Sequence, residues 1–323
     1  MSDSVKSVVS VLGLGTMGHG IVQAFASKGI PVHAYDEMPK ARDTLLDRVR
    51  NSLNHFACFG LFPADQVDAT LARITVHDRL EVACHPATFV VEAVREDLSV
   101  KQTLLAEIEP YLGDNTILAS NSSSFPISQS GARLRRPQRA LVTHWFNPPQ
   151  IVPTVEIVPS PLTSEEATQA TLALHRSIGK LAIVVRRELP GFLVNRVQVA
   201  VMREIWDLLA QGVASPEDID RAIRGSMGFR LAALGPCQIY DFGGLDIQAA
   251  VYRNLCPEIC SRTELPDFMA QTVAAGHFGF KSGQGFYTYQ ADQADRSLTE
   301  RDERYLALLK LLYAESNSTD QPK

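Results

Sequence analysis

His144, Glu156, the run Asn121 to Ser124 and Asn195 are the residues whose types and spacing can do chemistry. His144 closes an apolar run that begins at Ala140, and an imidazole titrates near working pH. Such a group can take a hydroxyl proton while hydride leaves the same carbon. Glu156 follows a stretch holding Pro148, Pro149 and Pro153, a loop over which the chain can return beside His144. A carboxylate on the second ring nitrogen would fix the tautomer and stabilise the imidazolium. A lone histidine is more often a hydrogen-bonded core or surface group. Of the eight here, His144 is the one with both a strand end and an acidic partner within reach. Asn121 and Ser122 to Ser124 can donate to a substrate oxygen or a cofactor amide, or form a polar turn. Asn195 lies in an apolar stretch directly after Pro190-Gly191. A buried amide needs partners, and a ligand or a backbone group at a domain joint would serve it equally.

These side chains need a platform, and Val8 to Asp36 reads as one. A β-branched run, Val8 to Leu12, predicts a buried parallel strand. Gly13, Gly15 and Gly18 then fit G-x-G-x-x-G, with Thr16 and Met17 inside the turn, and a helix pattern runs from Thr16 to Gly29. A second apolar run, Ile30 to Tyr35, ends on Asp36. In such a β-α-β unit the glycines admit a tight turn and a pyrophosphate, and the helix N-terminus offers N–H groups to the phosphates. Asp36 can accept from an adenosine ribose. With Glu37 beside it a 2′-phosphate would meet two negative charges, so the reading is NAD rather than NADP. The competing reading is a glycine-rich turn in a doubly wound domain that binds nothing.

The pattern continues as strands alternating with helices. Helical periodicity at Pro39 to Phe56 and Ala64 to Ala72 predicts a hairpin inserted before a strand at Ile74 to Val76. Further strands are expected at Phe89 to Val94, Thr116 to Ser120, Ala140 to His144, Val155 to Val158 and Leu181 to Val185. Helices are expected at Asp78 to Cys84, Leu98 to Leu112 and from Ser164 to about Ile178. Beyond Pro190 only helical patterns remain: a long apolar, buried helix at Phe192 to Leu209, a start at Ser215-Pro216-Glu217, and helices near Asp246 to Leu255, Leu265 to Ala275 and Leu298 to Ala314. The expected fold class is therefore α/β. A doubly wound, Rossmann-type domain with an inserted helical hairpin, residues 1–189, is followed by an all-helical domain, 190–323.

Formal net charge is −5, and no basic patch interleaves with aromatics, which argues against nucleic acid and anionic membranes as partners. No apolar run reaches the length of a membrane span, and MSDSVKSVVS has no signal-peptide core. STDQPK reads as a tail. Five scattered cysteines without C-x-x-C spacing fit reduced thiols. The expectation is a cytoplasmic protein with no metal site.

The chain resembles the short-chain L-3-hydroxyacyl-CoA dehydrogenases across about residues 7 to 290. The resemblance is carried by GLGTMGHGI from Gly13, VEAVREDLSVKQ from Val91, SNSSSFPIS from Ser120, HWFNPP from His144, PTVEIV from Pro153 and PGFLVNRV from Pro190. GPCQIYDFGGLD from Gly235 and GFKSGQGFYTY from Gly279 complete it. It implies that His144 is the base and Glu156 its partner, and that Ser123 and Asn195 hold the substrate oxygen. It places Glu96, Lys101, Asn147 and Lys281 near NAD, beside Gly13, Gly15, Thr16, Met17, Gly18 and Asp36. It also implies a homodimer built through the helical domain.

Two features depart from that pattern. In the acyl-CoA enzymes lysines of the hairpin help hold CoA, whereas Ala41 to Arg79 has no lysine, only Arg42, Arg48, Arg50, Arg73 and Arg79. The segments Trp145 to Pro149 and Ile151 to Val155 lean toward relatives that act on free acids, resembling L-gulonate 3-dehydrogenase, carnitine dehydrogenase and a pyridine-carboxylate dehydrogenase. The expected reaction is reversible NAD-dependent oxidation of an L-3-hydroxyacyl-CoA to the 3-ketoacyl-CoA, a step of fatty acid metabolism. The alternative is a dehydrogenase of a small free 3-hydroxy acid or related polar substrate. From another class comes a non-catalytic NAD-binding structural or sensor protein.

Overall fold

The structure is a computed structural model and describes residues 7–313. The opening residues, the tail STDQPK and Ala314 lie outside the described residues. The chain divides into two compact units. Among the described residues, one runs up to Arg196 and includes Glu303 to Tyr313; the other is Val197–Asp302.

In the first unit eight strands form one sheet among the described residues: β1 Val9–Leu12, β2 Val32–Tyr35, β3 Ile74–His77, β4 Phe89–Glu92, β5 Ile117–Ser120, β6 Ala140–Trp145, β7 Thr154–Pro159 and β8 Leu181–Val184. Their order is β3-β2-β1-β4-β5-β6-β7-β8. β1 to β6 are parallel, β7 runs antiparallel to β6, and β8 is parallel to β7. Residues 146–153, between β6 and β7, are too few for the crossover helix that parallel pairing demands, so the chain turns back on itself. β1, β4 and β5 are buried along their whole length, as their continuous apolar runs require in a sheet covered on both faces.

The covering helices of this unit are α1 Gly18–Ala26, α2 Pro39–Asp43, α3 Leu45–Cys58, α4 Val67–Leu71, α5 Leu80–Cys84, α6 Leu98–Ile108, α7 Ile127–Ser130 and α8 Glu165–Ser177. α1 begins later than the expected Thr16 because residues 15–17 are spent on the turn. α3 and α4 are the arms of the expected hairpin. The Ser164 hydroxyl caps α8 by accepting from Ala167 N–H, one of the donors a helix N-terminus leaves free.

The second unit holds α9 Val194–Ala210, which starts in the first, then α10 Pro216–Ile223, α11 Phe229–Ala233, α12 Pro236–Gly243, α13 Leu245–Leu255 and α14 Asp267–Ala274. α15, Ala294–Tyr313, leads back into the first unit. α9 corrects one expectation. It is apolar but not buried within the chain: none of its residues is, and Val197 and Val199 are 60% and 54% exposed. Its apolar face is covered only in part: Ile205, Trp206, Leu208 and Leu209 are half-buried. No described helix is long and apolar enough to cross a membrane.

Candidate active site

Register sets the site. Leu12 on β1, Glu92 on β4 and Ser120 on β5 stand in line, and Tyr35 on β2 pairs with Leu12. The turns that follow these residues share the carboxyl edge of the sheet, where ligands bind in open α/β folds. Ser120 pairs with Val142, so β6 runs on past this line, and His144 and Trp145 pair with β7 alone. Strand alternation then separates the two neighbours. The Trp145 ring enters the core, with centroids 5.7 Å from Phe25 and 5.3 Å from His175. The His144 ring meets Phe146 at 4.6 Å and Phe192 at 5.4 Å.

The antiparallel register places Glu156 opposite His144. Nδ1 donates to Glu156 Oε2 at 2.7 Å, which assigns the proton to Nδ1 and leaves Nε2 as the free base. Glu156 is fully buried, and its Oε1 accepts from the backbone N–H groups of Leu193, 3.1 Å, and Val194, 2.8 Å. Those donors open α9, so its N-terminus fixes the carboxylate. Phe192 delivers them. It is buried and left-handed, with φ 51°, a conformation that costs a non-glycine residue about 1 kcal/mol and turns the next two N–H groups inward. The sequence reading placed Phe192 inside a helix and gave it no role; a strained residue after Pro-Gly leaves no signal in residue type alone.

A second network holds the serine loop. Lys101, fully buried, pairs with Glu92 at 2.8 Å and with Glu96 at 3.2 Å. Glu92 also accepts from the Ser120 hydroxyl at 2.6 Å. Glu96 Oε1 gathers the hydroxyls of Ser122 and Ser124 and the N–H groups of Ser123 and Ser124, all within 2.9 Å. Burial alone would raise the Glu96 pKa. The serine hydrogen bonds and the Lys101 charge outweigh it and hold the carboxyl below its ordinary value. The Ser123 side chain is left exposed, and its carbonyl accepts from Asn195 Nδ2 at 3.1 Å. Of the two partners open to Asn195, the backbone one is made. Lys101 has no surface of its own to offer a ligand, while Asn147 is exposed just past β6. Lys281 belongs to the second unit, in the short turn Phe280–Ser282, with its ammonium 5.3 Å from the Phe278 ring.

Along the same sheet edge lies a cleft of about 690 Å³, lined by Gly13, Gly15, Thr16, Met17, Asp36 and Glu37 among others. Gly13 has φ +93°, and a Cβ on Gly18 would strike the Gly13 carbonyl oxygen, so neither tolerates a side chain. A Cβ on Gly15 would meet nothing within 4 Å, which leaves open room before α1. Asp36 accepts from Leu14 N–H at 2.6 Å and Met38 N–H at 2.8 Å, so its carboxylate is set by the turn. This cradle fits a dinucleotide.

Residues 8–189 match the NAD-binding domain of 3-hydroxyacyl-CoA dehydrogenase, and residues 191–289 match its C-terminal domain. The chain belongs to the 3-hydroxyacyl-CoA dehydrogenase family. It is an NAD-dependent dehydrogenase. Among curated proteins it is 32% identical over 305 residues to 5-formyl-3-hydroxy-2-methylpyridine 4-carboxylate 5-dehydrogenase of Mesorhizobium japonicum, covering 94% of this chain and 97% of that protein. A solved structure of a 5-formyl-3-hydroxy-2-methylpyridine 4-carboxylic acid 5-dehydrogenase, described as an NAD⁺-dependent dismutase, superposes with TM-score 0.89 at 32% identity over 94% of this chain and 97% of that one. (S)-3-Hydroxybutyryl-CoA dehydrogenase from Ralstonia eutropha superposes with TM-score 0.72 at 32% identity, covering 88% of this chain and 99% of that one.

Within this family member the hairpin arginines are all engaged at home. Arg42 donates to Asp36 O at 2.6 Å, and Arg48 to Ala41 O at 2.9 Å. Arg50 pairs with Asp68 at 2.7 Å, Arg79 pairs with Glu81, and Arg73 donates to Ala26 O at 3.3 Å. Arg42 and Arg48 thus brace the dinucleotide platform.

Proposed function

We propose that this dehydrogenase oxidises a carbon that bears both hydroxyl and hydrogen in a small free acid, either the carbinol of a 3-hydroxy acid or the hydrated formyl group of a pyridine carboxylate, rather than a CoA thioester. NAD, when bound, supplies the hydride acceptor. Gly13, Gly15, Thr16, Met17 and Gly18 form its pyrophosphate cradle, and Asp36 holds the ribose. Glu96 serves the cofactor side through the serine loop, with Lys101 holding Glu96 in place, and Asn147 faces the same edge. His144 Nε2 takes the hydroxyl proton as the C–H bond gives up its hydride and the carbonyl forms. Glu156 holds the ring and stabilises the imidazolium, while Ser123 and Asn195 donate to the substrate oxygen.

The observation that carries the substrate choice is the engagement of all five hairpin arginines. A CoA arm bears several phosphates and needs free cations to meet them. The likeness to the pyridine-carboxylate enzyme points the same way. The division of labour assigns the cofactor to residues 1–189 and association to 190–323. The exposed Val197, Val199, Phe229 and Phe242 are the kind of surface a second copy would cover in a homodimer. Five free cysteines fit a reducing, cytoplasmic setting.

A substrate panel tests the choice. NADH formation is followed with 5-formyl-3-hydroxy-2-methylpyridine 4-carboxylate, gulonate, carnitine and 3-hydroxybutyryl-CoA. A free acid is expected to give the highest kcat/KM. Turnover of the thioester above every acid would return the assignment to the acyl-CoA reading.

A further inference from the structure

The cleft beside the glycine turn does not end at Asp36. Beyond it the walls are Tyr35 at the end of β2, Leu80 at the start of α5 and one face of α6, where Val100, Thr103, Leu104 and Glu107 recur at helical spacing. In a dinucleotide the adenine hangs from the ribose that Asp36 would hold, so this slot receives the base when NAD fills the cradle. Tyr35, Leu80, Val100 and Leu104 offer it apolar surface. Glu107 is the exception. It is exposed in the last turn of α6, a helix end where a negative charge is disfavoured and where no basic residue offsets it. Among the described residues its carboxylate makes no hydrogen bond or ion pair. Nothing in the packing of α6 accounts for an acid at this position.

The Tyr35 side chain is half-buried, and its hydroxyl makes no hydrogen bond among the described residues. Burial raises its pKa above the ordinary value, the nearby Arg42 charge opposes this, and the Glu107 charge adds to it. The hydroxyl therefore stays protonated and remains a donor. Glu107 also adds to the burial that pushes the Cys84 thiol up to about 12, which brings its charge to the α5 side of the slot as well. The slot thus carries one unspent donor and one unspent acceptor. Adenine presents the complement, an exocyclic amine that donates and ring nitrogens that accept. We infer that Glu107 selects the base of the dinucleotide: its carboxylate accepts from the exocyclic amine of adenine while the Tyr35 hydroxyl donates to a ring nitrogen. A base with an oxygen in place of the amine meets a carboxylate that can only repel it. The inference rests on NAD lying along the Gly13-to-Asp36 cradle and adds what its base meets there.

The test titrates the full chain with NADH and with deamino-NADH, in which hypoxanthine replaces adenine, and reads the dissociation constants by fluorescence. Wild type is expected to bind NADH tighter by about tenfold or more. Glu107→Gln can turn its amide N–H toward the hypoxanthine oxygen, so the ratio is expected to fall to about twofold or less, with the deamino form gaining affinity. Glu107→Ala is expected to weaken NADH and to leave deamino-NADH no weaker. A merely structural Glu107 would instead weaken both dinucleotides in parallel, and that result overturns the inference. A wild type that binds the two alike, or a Glu107→Gln variant that keeps the wild-type ratio, overturns the selection by Glu107 and leaves the NAD cradle standing. A wild type that binds neither overturns the cradle reading and this inference with it.

Discussion

Glu156 stands in register with His144 across β6 and β7, and its Oε2 accepts from Nδ1 at 2.7 Å while Oε1 takes two backbone N–H groups from the start of α9. Both carboxylate oxygens are committed, so the imidazole has one allowed orientation and one tautomer. A buried glutamate held this way directs its neighbour without touching substrate.

Glu156→Gln keeps the shape but presents an amide N–H or a neutral oxygen to Nδ1. The ring then loses its charge partner and, with the N–H facing it, moves its proton to Nε2, the nitrogen required as base. Turnover is expected to fall about 10²- to 10⁴-fold. The NADH dissociation constant, read by fluorescence, is expected to stay within about twofold. A matching loss of NADH affinity would mean that Glu156 supports the fold rather than the histidine.

In the proposed function, cofactor choice rests on Asp36 and Glu37, both lining the cleft. Wild type is expected to favour NAD over NADP by about 10²-fold or more in kcat/KM. Asp36→Ser with Glu37→Arg removes both negative charges and adds a phosphate partner, so the ratio should fall by at least about tenfold. Kinetics with each cofactor at fixed substrate decide it. An unchanged ratio would show that discrimination lies elsewhere.

Lys180 predicts a pH dependence of stability. It is nearly fully buried, and its Nζ donates to Pro149 O at 2.6 Å and Val152 O at 2.7 Å, pinning the loop between His144 and Glu156. Burial pushes its pKa down from 10.5 to about 7. Between those values the unfolded chain binds more protons than the folded one, so this group's contribution rises with pH across that window. Below about 7 the folded state carries a buried charge and the contribution is lowest. Lys180→Met leaves two carbonyls unpaired and should cost about 1–3 kcal/mol. The gap between wild type and variant should widen from pH 7 to pH 9 in urea melts. A gap that narrows over that interval contradicts the assignment.

Much of this was legible in residue order. The platform from Val8 to Asp36 announced itself through the β-branched run, three glycines and an acid, because each answers a local demand of turn, phosphate or ribose. The return of Glu156 beside His144 followed from a proline-rich loop too short for a helix. What lay hidden was set by tertiary contact. The left-handed turn at Phe192, the burial of Lys101 between two glutamates and the exposed apolar face of α9 depend on what surrounds each residue. Nor could the sequence tell a free arginine from one spent on a backbone carbonyl, and that difference supports the substrate reading proposed above.

The central claim is that His144 takes the hydroxyl proton in an NAD-linked oxidation, and His144→Gln tests it most directly. Glutamine cannot act as a base, yet it keeps an amide near Glu156 and leaves the Gly13-to-Asp36 cradle untouched. With the best acid of the panel, kcat is predicted to drop about 10²- to 10⁴-fold while the NADH dissociation constant is unchanged. A His144→Gln enzyme with wild-type turnover and wild-type cofactor affinity would contradict the account.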